Sequence, residues 1–61
     1  MNRQVSRIII RLETGEDVTF ENHQFTLFKV EDNGTLEISK DGFIQVIYAA
    51  GYWKQVNIYY Y

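Results

Sequence analysis

The feature that most constrains this chain is a two-residue alternation of apolar and polar side chains, in short runs separated by turn signals. The run over residues 5–12 places Ile8, Ile10 and Leu12 at every second position. Alternate residues of a β-strand point to opposite faces, whereas an amphipathic helix repeats every 3.6 residues. This run is therefore predicted to be a strand with one apolar face, and no helix longer than one turn is expected in the chain.

Glycine-containing turns divide the sequence into short strands. The predicted strands are residues 5–12, 18–20, 25–30, a stretch around positions 36–38, 43–48 and 53–61. Asn33 and Gly34 predict a two-residue type I′ hairpin, because both central positions of that turn take positive φ. Asp41 and Gly42 repeat the signal. The predicted fold class is all-β: a single β domain over residues 1–61, an antiparallel meander of five to six short strands that forms a curled sheet or a small, partly open barrel.

The small size of the chain favours self-association. A domain of 61 residues buries only about 60% of the surface that its unfolded chain exposes, so its stability is marginal. The absence of cysteine removes disulfides and the usual zinc sites as additional support. We therefore expect a homodimer or larger assembly.

No apolar stretch is long enough to cross a bilayer, and no basic segment is followed by the apolar region of a signal peptide. These observations predict a cytoplasmic protein with no membrane partner. They also predict that the chain is complete from Met1.

Charge is distributed unevenly along the sequence. Residues 1–12 contain three arginines and no acid, whereas residues 13–41 contain all eight acids and only two lysines, Lys29 and Lys40. Such polarity can orient a basic partner or pair two copies of the chain. The alternative is that turns and outer strand faces simply collect solvated acids.

Catalysis is not expected from this inventory of side chains. The chain has one histidine, His23, no cysteine, and serines only at Ser6 and Ser39. No set of nucleophile, base and orienting group can be assembled from them. We predict no enzyme activity, no catalytic, cofactor-binding or metal-binding residue, and no cofactor.

Aromatic residues are more numerous than one small core can hold. Tyr59, Tyr60 and Tyr61 are consecutive, so they cannot all face the same side of a strand. Ile9 lies between two arginines on the face opposite Ile8 and Ile10. A second face rich in Tyr, Trp and Arg is typical of an interface centre. The predicted interface residues are Arg7, Ile9, Arg11, Phe28, Tyr52, Trp53, Tyr59 and Tyr61. The alternative is that a curled barrel hides most of these rings.

The C-terminal strand is the expected site of self-association. It has aromatic rings on both predicted faces, with Trp53, Gln55, Asn57 and Tyr59 on one of them, and Lys54 as its single charged residue. A bare edge strand of this kind would aggregate, so it is expected to meet its own copy around a two-fold axis. The competing outcome is closure of this strand onto the first one, which would remove the edge within one chain.

The function expected from these features is binding of a protein partner. The alternative is binding of single-stranded nucleic acid, with bases stacked on the aromatic side chains. Six basic residues against eight acids give no strong attraction for phosphates, so nucleic acid is the less favoured partner.

The sequence resembles short β-meander proteins of phages and mobile elements of Gram-positive bacteria. The similarity rests on residues 8–16 and 18–21, the turn at 33 and 34, residues 36–38 and 49–53, and Val56 and Ile58. It implies a self-associating accessory protein in the host cytoplasm that binds and inhibits a host protein complex, such as a bacterial defence complex.

The sequence predicts that His23, Ser6 and Ser39 have no catalytic role. A solvated histidine in a polar turn contributes within about 0.5 kcal/mol to stability, so His23→Ala should leave both folding and partner binding unchanged. A thermal unfolding curve combined with a binding assay tests this. Loss of binding in a variant that still folds would contradict it.

Overall fold

The structure is a computed structural model that describes residues 4–61, so Arg3 lies outside the described part of the chain. Six strands follow one another in sequence. They are β1 (Val5–Leu12), β2 (Asp17–Glu21), β3 (Leu27–Val30), β4 (Leu36–Lys40), β5 (Phe43–Tyr48) and β6 (Trp53–Tyr60). No helix occurs within residues 4–61, and hence none that is long and apolar enough to span a membrane. The all-β prediction is confirmed.

The strands form two antiparallel sheets of three strands each. The first sheet has the order β2-β1-β6 and the second has the order β3-β4-β5. The predicted single meander is wrong at two points, because β2 does not pair with β3 and β5 does not pair with β6. Residues 22–26 and 49–52 instead carry the chain from one sheet to the other. The sheets remain separate and do not close into a barrel.

The two sheets share one apolar core, which comes mainly from their central strands. Ile8 and Ile10 of β1 and Leu36 and Ile38 of β4 are the four fully buried side chains of the described chain. Phe25, from the β2–β3 connection, completes the buried cluster. Each sheet has one apolar face, and packing the two faces together removes both from water.

The β3–β4 turn differs from the predicted type I′ hairpin. Its three-residue loop is closed by hydrogen bonds from Gly34 N to Glu31 O (2.9 Å) and from Glu31 N to Thr35 O (2.8 Å). Gly34 has a positive φ of 90°, whereas Asn33 does not. Asn33 instead accepts a hydrogen bond from Thr35 N on its side-chain oxygen, at 3.0 Å. An Asx-type contact of this kind stabilises the turn locally and removes the need for positive φ at Asn33.

The β4–β5 turn has the predicted two-residue form. Asp41 and Gly42 both have positive φ, at 53° and 86°, and the flanking residues Lys40 and Phe43 are paired. These are the two backbone conformations that a type I′ turn requires.

The register shifts at three places, and two of them are β-bulges, in β5 and β6, that change which side chains face the core; the third leaves Ser6 of β1 extra between the pairs Val5 with Tyr60 and Arg7 with Tyr59. In β5, Ile38 pairs with Val46 while Ser39 pairs with Ile44, so Gln45 is an extra residue. In β6, Lys54 is extra in the same way, between the pairs Arg11 with Gln55 and Leu12 with Trp53. An extra residue reverses the alternation beyond it. The prediction that Trp53 shares a face with Gln55 is therefore wrong, and Trp53 packs against the core with Leu12.

Strand β6 pairs along its whole length with β1, as the competing sequence interpretation required. This pairing does not remove the edge, because the sheet ends at β6 and no second strand within residues 4–61 pairs with it. The first sheet would need to close into a barrel to satisfy that edge, and three strands are too few for closure.

We expect Gly34→Ala to destabilise the fold more than Gly15→Ala. Both glycines have positive φ, which costs a residue with a side chain about 1–2 kcal/mol. A Cβ on Gly34 would also lie 3.0 Å from the Cβ of Ala50, whereas a Cβ on Gly15 would meet nothing within 4 Å. Denaturant unfolding of both variants measures the difference. Adding Ala50→Gly should lessen the extra loss, and two equal losses would contradict the contact.

Candidate protein-binding surface

Four of the predicted interface residues lie together on the outer face of the first sheet. Arg7, Ile9 and Arg11 point outward from β1, opposite to the buried Ile8 and Ile10. Tyr59 of β6 is the direct cross-strand partner of Arg7. The Arg7 guanidinium carbon lies 5.2 Å from the centroid of the Tyr59 ring, within range of a cation–π contact.

The other arginine on this face is occupied by a carboxylate. Arg11 donates from Nε and Nη2 to the two carboxylate oxygens of Asp17, at 3.1 and 3.4 Å, across the β1–β2 hairpin. The hydrogen bond to Asp17, and then the charge of Asp17, raise the pKa of Arg11 above its usual value. Arg11 therefore stays positively charged and directed at Asp17.

Two predicted interface residues help to join the sheets. Phe28 pairs with Ile38 on the core side of the second sheet and contacts Phe25 edge to face, with ring centroids 6.4 Å apart. Trp53 donates from its indole nitrogen to the carbonyl oxygen of Gly34, at 2.8 Å. Since Trp53 belongs to the first sheet and Gly34 to a loop of the second, this hydrogen bond links the two sheets.

The two remaining predicted residues lie apart from each other. Tyr61 follows β6, where its hydroxyl accepts a hydrogen bond from the Asn22 side chain. Tyr52 lies in the connection between β5 and β6 with 70% of its surface exposed. The predicted interface residues therefore do not form one continuous surface.

Sequence reasoning missed an aliphatic patch on the outer face of the second sheet, formed by Ile44 and Ile47; Leu27 lies on the same face, but Ser39 of β4 separates it from Ile44. Ile44 and Ile47 are three positions apart, so simple alternation would place them on opposite faces. The bulge at Gln45 brings them to the same face, where each is 56% exposed, and Leu27 is 59% exposed. The sequence signal that could have revealed this patch is the complete absence of charged residues in β5, which is unusual for an edge strand.

An open groove of about 390 Å³ adjoins this patch. Its lining residues are Leu12, Glu13, Thr14, Ile47, Tyr48, Ala49 and Tyr52. A backbone hydrogen bond from Glu13 N to Tyr52 O, at 2.9 Å, fixes the β1–β2 loop against the β5–β6 connection. The groove is thus a formed depression with apolar walls and a carboxylate at its rim.

Three loops meet at this end of the molecule, which we call the loop end: residues 13–16, 31–35 and 49–52. The first and third are joined by the bond to Tyr52 O, and the second is joined to the start of β6 by the Trp53 bond. The loop end contains four acids and no basic residue. Glu31 forms an ion pair with Lys29 at 3.3 Å. The other three acids are Glu13, Glu16 and Asp32, all exposed.

Within residues 4–61, no three His, Cys, Asp or Glu side chains come together in a way that could hold a metal ion. Comparison with known proteins gives no match of this chain to a family model, to a curated protein or to a solved structure.

We expect Trp53→Phe to destabilise the fold while Tyr52→Ala does not. The phenylalanine keeps most of the apolar packing but removes the donor to Gly34 O, and an unpaired, partly buried carbonyl costs about 1–3 kcal/mol. Tyr52 is exposed, so its truncation should change stability by about 0.5 kcal/mol or less. Thermal unfolding of the two variants tests this, and equal stability of the Trp53→Phe and unmodified chains would exclude a role for the indole bond.

Proposed function

We propose that this chain is a non-catalytic protein-binding module. The single observation that carries the proposal is the aliphatic patch beside an apolar groove, on a chain that has few fully buried side chains. Large apolar side chains that remain exposed in so small a protein lower its solubility and contribute little to its fold. Exposed apolar side chains beside a groove with apolar lining are typical of interaction sites.

The groove supports a specific mode of binding. Its volume suits an apolar side chain of a partner, which would contact Leu12, Ile47 and Tyr48 and displace water from them. Anchor residues in pockets of this kind contribute most of the binding energy in protein interfaces. The exposed Ile44 would extend the contact along β5.

Charge at the rim favours a basic partner. Glu13 lines the groove, and Glu16 and Asp32 belong to the same loop end. Acids at a rim contribute little to affinity, but they attract a positively charged partner and raise the association rate at low salt. We therefore propose a partner that presents an apolar side chain surrounded by Lys or Arg. Following the resemblance to phage accessory proteins, we further propose that binding blocks a host protein complex.

The geometry offers less support for nucleic-acid binding. A stacking platform needs several exposed aromatic rings on one face. Tyr59 is covered by Arg7 on one side, and Trp53 is directed at the opposite sheet. Arg11 is engaged by Asp17. No observation on the first sheet favours this alternative.

We expect Ile47→Arg to abolish capture of the partner while Thr19→Arg leaves it intact. Both positions are exposed on strands, but Ile47 lines the groove and Thr19 lies on the outer face of the other sheet. Tagged chains are used to capture protein from a lysate of the host cell, and the captured partner is then titrated. The expected loss for Ile47→Arg is tenfold or more, about 1.4 kcal/mol.

As a control, Ile47→Arg and Thr19→Arg must both keep the thermal unfolding midpoint of the unmodified chain.

Glu13→Gln should slow association and weaken the dependence of the association rate on salt, with little effect on dissociation. Retention of the partner by Ile47→Arg, together with its loss in Arg7→Ala, would move the binding surface to the first sheet and contradict the proposal for the groove.

A further inference from the structure

The four edge strands of this molecule are protected to different degrees. Strand β2 contains Asp17 and Glu21, and pairing it with its own copy around Thr19 would place these acids opposite each other. Like charges directly opposite destabilise a strand pair. Strand β3 has only four residues and includes Lys29. Strand β5 has its bulge at Gln45, in mid-strand, and bulges of this kind twist an edge away from further pairing.

Strand β6 lacks these protections over most of its length. It has eight residues, and its bulge and its single charge coincide at Lys54, near its beginning. The pairing with β1 is regular from Gln55 to Tyr59. Residues 55–59 therefore present a regular edge without charged side chains, which no other strand of residues 4–61 pairs with; the register shifts again only beyond the pair of Arg7 with Tyr59.

The core-facing side of β6 is also incompletely covered. Ile58 pairs with the fully buried Ile8, yet 39% of the Ile58 surface remains exposed. The exposure of Ile58 shows that the second sheet leaves part of the apolar face of the first sheet in contact with water, next to the edge of β6.

We propose that β6 pairs antiparallel with β6 of a second copy around a two-fold axis at Ile58, and so forms a continuous six-stranded sheet across the dimer. The proposal concerns a different surface from the groove and does not depend on the partner that the groove binds. We assign the edge to a second copy because β6 is self-complementary when it pairs with itself around Ile58.

Opposite residues of an antiparallel pair lie on the same face of a sheet. With the axis at Ile58, the two Ile58 side chains meet, and Val56 lies opposite Tyr60 of the partner subunit on the same core-facing side. On the outer face, Asn57 lies opposite Tyr59 of the partner subunit. On the core-facing side apolar residues thus meet apolar residues, and the ladder over residues 56–60 stays clear of the bulge at Lys54.

Charge does not oppose this arrangement. Lys54 lies four residues from the axis, so the two copies of Lys54 are separated by roughly 27 Å along the strands at about 3.4 Å per residue. That distance exceeds the screening length of about 8 Å at physiological salt. An axis at Asn57 would instead place Lys54, with its bulge, opposite Tyr60 of the partner subunit and inside the ladder.

Disulfide trapping tests the proposal directly, because the chain contains no cysteine. In Ile58→Cys the two Cα atoms would lie about 4.5–5.5 Å apart across the axis, within the range that a disulfide spans. In the control Asn57→Cys they would lie about 8 Å apart, because the symmetry-related residue is offset by two positions. Ile44→Cys is a second control, at an exposed position on β5.

Ile58→Cys should form disulfide-linked dimers at least about tenfold faster than either control. A pre-formed dimer holds the two thiols of this variant at a roughly millimolar local concentration. Sedimentation equilibrium of the unmodified chain, without any host protein, should give twice the mass of one chain. A single-chain mass at tens of micromolar, or equal cross-linking of all three variants, would overturn the proposal. If Asn57→Cys cross-linked fastest of the three variants, the proposed register around Ile58 would be wrong.

A charge-swap experiment covers the case in which the cysteine variant folds poorly. Ile58→Lys and Ile58→Glu should each be monomeric, because like charges would meet at the axis. Mixing them should restore a dimer that contains one copy of each. Folding of each variant is checked by its circular dichroism, and folded variants that stay monomeric after mixing would contradict an axis at Ile58.

Discussion

The fold depends on one constraint: in a three-stranded sheet only the central strand has neighbours on both sides. Ile8 and Ile10 on β1, and Leu36 and Ile38 on β4, are for this reason the side chains that leave water completely. Fully burying such a side chain contributes about 1.5–3 kcal/mol, a large fraction of a net stability of roughly 5–15 kcal/mol. The other apolar residues of the described chain lie at the ends of β1, on edge strands, in connections or on outer faces, and none of them is completely buried.

The sequence predicted the positions of the strands but not the form of the β3–β4 turn or the bulges. Alternation over residues 5–12 predicted β1 with its correct bounds, and the run of branched and aromatic residues over 43–48 predicted β5. The division into two sheets could not be predicted, since residues 22–26 and 49–52 look like ordinary turns. Turn chemistry specifies local backbone angles. Whether the chain returns beside the strand it left or crosses to another sheet depends on which apolar faces need covering, and that is a property of the whole chain.

The candidate site was predicted only in part, for a similar reason. The structure places Arg7, Ile9 and Tyr59 on one outer face, as expected. No bulge interrupts the alternation between these residues and their core-facing neighbours Ile8 and Ile58. A single extra residue at Gln45 or Lys54 reverses alternation beyond it, and neither residue type signals a bulge. Those two bulges turn Trp53 inward and bring Ile47 outward beside Ile44. A binding surface formed by a bulge is invisible to a method that assumes a constant period.

The charges of the loop end are not explained by folding. The turns need Gly15 and Gly34 for their positive φ, and the Asn33 side chain for its hydrogen bond. They do not need Glu16 or Asp32, which form no ion pair within residues 4–61. Like charges gathered at one end repel one another and slightly destabilise a chain with so small a core. Their concentration beside the apolar groove is therefore better explained by what this surface meets in solution than by the requirements of the turns.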